Sequence, residues 1–180
     1  MNRVETTVLA AARSPFALAR RLSLNATSPQ AFREALRAYF IETFDATESL
    51  FRTLACDEAW YRRPITLRHP LIFYYGHVAT FFVNKLTLTR LISRRIDPHL
   101  ESIFAVGVDE MSWDDLDDAH YDWPSVQKVQ AYRDQVRAMV LDLIDHAPLS
   151  LPVHWDNPWW AIVMGVEHER IHIETSSVLI

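Results

Sequence analysis

Glycine is scarce in this chain, three residues in 180 against nine prolines. Hairpins and bulges lean on glycine, and runs that alternate apolar with polar residues are few, so a sheet fold is disfavoured and helices punctuated by proline are expected. The single cysteine, Cys56, excludes an internal disulfide framework and fits a reducing cytosol. Followed by Asp57 and Glu58, it lacks the basic surroundings of a reactive thiolate and is expected to be structural. Long apolar runs are missing too. The N-terminal stretch carries Arg3, Arg13, Arg20 and Arg21 against Glu5 alone, but its apolar segments are too short for a signal peptide or a membrane span. Residues 1–27 are expected to form a basic arm, and the protein to be cytoplasmic. No basic patch with interleaved aromatics occurs, so neither nucleic acid nor membrane is an expected partner.

What is present suits one all-α domain over residues 28–180. Thr27 or Ser28 as N-cap and Pro29 at the first helical position open a helix expected to run to about residue 56, with Phe32, Leu36, Tyr39, Phe40, Phe44, Leu50, Phe51 and Leu54 along one stripe. Arg63-Pro64 and His69-Pro70 break the chain, leaving 57–70 as a connector. A second helix, apolar nearly all round from Leu71 to Phe82, is expected to reach about Arg94. Residues 97–122 then hold nine carboxylates and no Lys or Arg, giving the net charge of −5 an uneven spread. Ser112-Trp113-Asp114-Asp115 within them reads as an N-cap and acidic first turn of a short helix. It lacks the glycine and terminal glutamate of a calcium loop and is expected to face solvent or a partner. Trp123-Pro124 opens a third long helix with Val126, Val129, Tyr132, Val136, Met139, Val140 and Leu143 on one face, and a fourth starts near Asn157 or Pro158. Four long helices predict an antiparallel bundle with a long acidic connection between helices 2 and 3.

The chemistry concentrates in Glu167-His168-Glu169-Arg170-Ile171-His172-Ile173-Glu174. At about 100° per residue, His172 lies about 40° round a helix from His168, so both imidazoles share a face and are able to grip one metal. Glu174 lies about 240° round from His168 and is expected to support the site rather than bind. The spacing also matches the His-Glu-x-x-His pattern of zinc proteases with Glu169 as base, but no histidine or cysteine follows His172 to complete such a site. A third ligand must come from another helix. His77, beside Gly76 in the most apolar surface, needs partners if buried and is favoured; His69, before Pro70 at the helix entrance, is the rival, with a capping or surface role as its ordinary reading.

Three stretches carry a resemblance: Arg68-His69-Pro70-Leu71-Ile72-Phe73-Tyr74-Tyr75-Gly76-His77, then Ser102 to Asp115, then Glu167 to Ile180. Together they look like the N-terminal, DinB-like part of the 5-histidylcysteine sulfoxide synthases of ovothiol biosynthesis, which is similar to the same part of the ergothioneine sulfoxide synthases. The resemblance implies iron as Fe(2+) held by His77, His168 and His172, with Glu174 in the position of the family's glutamate. It also implies L-cysteine, L-histidine and O2 as substrates, joined through a carbon–sulfur bond and a sulfoxide. Chains of that family continue into a further domain that supplies substrate contacts, and the apolar Val178-Leu179-Ile180 ending reads as a helix cut off. A fragment is therefore expected, inactive alone and prone to self-association or to binding a separate catalytic domain. Two alternatives stand beside it: a DinB-like metal-dependent thiol transferase and a non-catalytic partner module.

Overall fold

The computed structural model describes residues 21–105 and 122–180. Six helices follow one another there: α1 Pro29–Phe51, α2 Glu58–Tyr61, α3 Leu71–Leu88, α4 Pro98–Ile103, α5 Val126–His146 and α6 Trp160–Leu179. The all-α bundle expected from the sequence is the fold observed. Its four long helices are α1, α3, α5 and α6, with α3 and α1 each packed against both α5 and α6.

Side-chain pairings give the helix directions. Arg37 meets Asp145 and Glu48 meets Arg133, so α1 and α5 run antiparallel. Tyr74 lies against His172 and Phe81 against His168, so α3 and α6 run antiparallel as well. Tyr39 meets Glu167 and Thr43 meets Arg170, so α1 and α6 run the same way. The expected apolar stripes become the core: Phe32, Leu36, Phe40 and Phe44 of α1 are buried, as are Val129, Tyr132, Val136 and Val140 of α5.

Helix starts follow local chemistry. Ser28 caps α1 by accepting from the Ala31 amide at 3.1 Å, with Pro29 next in line, and Ser125 caps α5 by accepting from Lys128 at 3.3 Å. Arg33 forks onto the carbonyls of Ile144 and Ala147 at 2.5 Å each, satisfying acceptors at the end of α5 while its guanidinium covers the Trp159 ring at 4.9 Å.

Helix ends were less visible. α1 stops at Phe51 rather than near 56, because the Thr53 amide and hydroxyl both turn back to the Leu50 carbonyl. α3 stops at Leu88 rather than near Arg94: Arg90 takes a left-handed φ of 60°, and the Arg90 and Leu91 amides close onto the carbonyls of Thr87 and Leu86. That closure usually uses glycine, so the stop carried no sequence signal. The connector 57–70 contains the short α2, whose Trp60 stacks on Phe51 at 5.5 Å. Cys56, expected to be structural, is instead exposed in the turn leading into α2. Ser112 to Asp115, most of the acidic connection and most of the N-terminal arm lie outside the described residues.

Candidate metal centre

Two glycines set how closely the elements around the histidines approach one another. A Cβ on Gly165 would meet the Phe82 ring at 2.3 Å, so only glycine lets α6 settle this near α3. A Cβ on Gly76 would meet the Phe104 ring at 2.4 Å. α4 delivers that ring: Asp97 caps it through the His99 and Leu100 amides, and buried Glu101 accepts from the Ile96 and Asp97 amides and pairs with Arg95 at 2.7 Å. With Phe104 pressed against Gly76, its carbonyl lies 2.7 Å from His77 Nδ1.

This contact fixes the His77 tautomer. A carbonyl only accepts, so Nδ1 carries the proton and the Nε2 lone pair points inward. His77 Nε2 lies 3.2 Å from His168 Nε2, which lies 3.1 Å from His172 Nε2. Among the described residues these three histidines form a cluster whose ligand atoms all lie within 4.8 Å of one another. One proton on His168 Nε2 satisfies one of its two contacts, whereas a cation among the nitrogens answers all three lone pairs. The donor set thus fits a divalent metal. Phe81 stacks flat on the His168 ring, 3.7 Å between centroids, and Phe73 stacks on His77 at 5.2 Å, so the rings have little freedom to turn away.

The electrostatics suit neutral ligands. Burial, with His172, His77 and Lys85 adding to it, lowers the His168 pKa to about 2; burial, with His77 and Arg68, lowers that of His172 to about 4. Both rings are therefore unprotonated at neutral pH, the form that binds metal. Nδ1 of His168 and of His172 is buried with no hydrogen-bond partner among the described residues.

The other sequence candidates fall elsewhere. His69 lies outside the cluster; it is buried rather than at the surface, stacked on Phe73 at 4.2 Å and edge-on to Trp123 at 6.0 Å, and the N-cap of α3 is Pro70. Glu174 is exposed and also outside the cluster. Glu169, the would-be base of the protease pattern, is fully buried on another face of α6 at 3.3 Å from Arg133.

Sequence reasoning missed that second constellation. The fully buried Arg133 donates from Nε to Glu48 at 2.8 Å, from one terminal nitrogen to the Tyr75 carbonyl at 2.8 Å, and from the other to Glu169. The Tyr75 hydroxyl donates to Glu48 at 2.6 Å, and the rings of Phe44 and Tyr75 each lie 4.4 Å from the guanidinium. One side chain of α5 thus ties α1, α3 and α6 together, beside His168 on α6 and two residues from His77 on α3. The signal was available: Arg133 falls between Val129 and Val136 on the apolar stripe of α5, where a charge has to be paired.

Inward histidines from two helices of a bundle are an arrangement from which metal sites can be built. The chain belongs to the DinB superfamily, whose family model matches residues 39–176. It is also 33 % identical over 147 residues to "Ergothioneine biosynthesis protein 1" of Neurospora crassa, an alignment covering 75 % of this chain. The chain spans 16 % of the length of that relative. Among the described residues no helix is long and apolar enough to cross a membrane.

Proposed function

We propose that this chain is the iron-binding part of an O2-dependent sulfoxide synthase that joins L-cysteine to the imidazole of L-histidine, as in ovothiol biosynthesis. The observation carrying the reading is the convergence of three Nε2 atoms from α3 and α6 with one tautomer already fixed. Membership of the DinB superfamily and similarity to a fungal ergothioneine biosynthesis protein support it. The reaction balances: forming the carbon–sulfur bond removes one hydrogen each from thiol and imidazole, the sulfur gains one oxygen atom, and the other leaves as water. O2 is the four-electron oxidant.

His77, His168 and His172 would hold Fe(2+), which supplies redox chemistry and a Lewis acid that zinc in the same site would provide only in part. The chain's own residues do the rest. Phe104 holds the His77 ring through its carbonyl, Phe81 and Phe73 keep His168 and His77 in place, and burial keeps His168 and His172 neutral. Glu174 would tune the site from outside the ligand set.

The test is anaerobic Fe(2+) titration, then O2 with L-cysteine and L-histidine, with oxygen uptake and mass spectrometry as readouts. The expected result is one Fe(2+) per chain, cysteine-dependent O2 uptake, and little coupled sulfoxide from these 180 residues alone. Orienting two reactants can supply about 7 to 11 kcal/mol, and two side chains of the site, His168 and His172, are only partly buried, which would leave a bound metal near solvent. Absence of Fe(2+) binding would overturn the proposal. Thiol transfer with zinc or nickel and no O2 uptake would favour a thiol transferase, which the same three neutral donors also suit.

A further inference from the structure

His168 and His172 begin a row along α6 that has a third member. Each step of four residues turns the helix about 40° further, so Ser176 follows His172 as His172 follows His168, with about 6 Å of rise at each step. Ser176 is 1 % exposed, and its Oγ is buried with no hydrogen-bond partner among the described residues. The Nδ1 of His172 is buried and without a partner in the same way. Two orphaned polar groups thus stand one turn apart on one row, at the edge of the histidine cluster. Keeping a buried hydroxyl unpaired is costly, so its place in the core asks for a reason. The other groups near His172 are engaged or unsuited. The Tyr74 hydroxyl is held by Arg68 and the His69 backbone, the Thr175 hydroxyl donates to the His172 carbonyl at 3.3 Å, and the Ser177 hydroxyl donates to the Glu174 carbonyl at 2.7 Å. Glu174 itself is exposed, and Arg68 has only donors to offer.

We propose that Ser176 is the positioning residue for His172: when His172 Nε2 takes the metal, the Ser176 hydroxyl accepts from Nδ1–H, directly or through one buried water, as the Phe104 carbonyl does for His77. The inference rests on the metal reading of His77, His168 and His172. It adds what holds the second ring. A neutral imidazole that gives one nitrogen's lone pair to a metal carries its proton on the other nitrogen, and a buried N–H needs an acceptor. The two groups are not bonded to each other in the structure; a change of the Ser176 χ1 rotamer, or a single water with both groups as partners, closes the gap. A hydroxyl differs from a carbonyl in being able to turn. It accepts from Nδ1–H in one tautomer and donates to the Nδ1 lone pair in the other. His172 is thus allowed either tautomer until a metal selects one, whereas the carbonyl beside His77 permits only one. His168 has no such neighbour on its own helix, since the residue one turn before it is Met164.

The experiment uses the 180-residue chain with Zn(2+) as the probe. Affinity is read by competition with a chelating dye, and the ring N–H groups by NMR of protein labelled with 15N-histidine. Ser176→Ala removes only the hydroxyl, and alanine suits a helix, so the unfolding midpoint of the metal-free chain should stay where it is or rise. Zn(2+) affinity should nevertheless fall by about tenfold, the low end of what such supporting contacts are worth. The His172 Nδ1–H signal should shift and exchange faster with water, while the Nδ1–H signals of His77 and His168 keep their places. Thr175→Ala, which removes the hydroxyl on the His172 carbonyl, should leave affinity and signals unchanged. Unchanged affinity in Ser176→Ala, an unmoved His172 Nδ1–H, equal changes at all three histidines, a fallen midpoint beside the lost affinity, or the same changes from Thr175→Ala would each overturn the role of Ser176 while leaving the metal centre standing. Failure of the wild type to take up Zn(2+) would overturn the metal reading, and this inference with it.

Discussion

Two faces of α6 solve opposite problems. On one, Glu169 is buried in a fully assembled charge network in which Arg133 answers Glu48, Glu169 and the Tyr75 carbonyl. On the other, one residue earlier, His168 brings its nitrogen within 3.2 Å of two others without enough protons to satisfy them. Polar groups that complete one another hold a fold; polar groups that converge and leave a shared vacancy of charge bind something. The Arg133 face sets how α6 is rotated, and the histidine face uses that rotation. Stability and function should therefore separate by mutation even between adjacent residues.

The largest effect should come from the charged face. Arg133→Met strands Glu48 and Glu169 in the core, and removing one partner of a buried charge network typically costs about 3–5 kcal/mol. Urea unfolding of the metal-free chain should show that loss. A change below about 1 kcal/mol would mean that the network contributes little and the two faces are not distinct. The burial of Glu169 raises its pKa, with Arg133 opposing, so Glu169→Gln should cost much less than Arg133→Met.

The histidine face should behave in the reverse way. His77→Ala, His168→Ala and His172→Ala should each reduce bound metal sharply, measured by equilibrium dialysis, whereas His69→Ala should keep it. The comparison sharpens with His168→Gln, which should empty the site while moving the unfolding midpoint of the metal-free chain far less than Arg133→Met does. Metal retained by His77→Ala and lost by His69→Ala would reverse the choice of third ligand.

Acid should act mainly through the same face. His168 and His172 have folded pKa values of about 2 and about 4, below the ordinary value of 6.5. Below that ordinary value the unfolded chain takes up protons that the folded chain refuses, so stability is full above about pH 6.5 and falls as pH drops toward 4. Each histidine contributes up to about 1.4 kcal/mol per pH unit in that window. Glu169, with its raised pKa, works with the opposite sign. The clean measurement is thus the difference in unfolding free energy between wild type and His168→Gln/His172→Gln across pH 4–7, in EDTA. A flat difference would mean that both imidazoles protonate freely in the folded state.

How much of this was legible in the sequence depended on whether a feature is local. Caps, proline breaks and the His168–His172 pair are set by neighbours in the chain, and they read directly as Ser28, Pro70 and a four-residue spacing, whereas the cap of α5, Ser125, lies one residue past the Trp123-Pro124 expected to open that helix. His77 was legible from its apolar setting, yet the reason it is oriented, the Phe104 carbonyl arriving over Gly76, is a contact across 27 residues. The Arg133 network spans 85 residues to Glu48 and 36 to Glu169, and no local pattern pairs them. The end of α3 escaped for another reason, since Arg90 occupies a backbone conformation that sequence rules reserve for glycine.

The smallest effect belongs to Glu174. It lies two residues past His172, so on a regular helix its side chain projects about 200° away from that ring, and it is exposed. Carboxylates that orient metal ligands are normally in hydrogen-bond contact with them, and losing such a contact costs about 10- to 100-fold in affinity. An exposed carboxylate turned away from the cluster acts only through solvent-screened charge, so Glu174→Gln should weaken Fe(2+) or Co(2+) binding by about tenfold or less and leave the stoichiometry at one. Added salt should shrink the difference further, because screening removes a through-space effect and spares a hydrogen bond. A loss beyond about 100-fold, or one indifferent to salt, would place the Glu174 carboxylate in direct contact with the metal or its ligands, and α6 would then have to turn in the metal-bound protein.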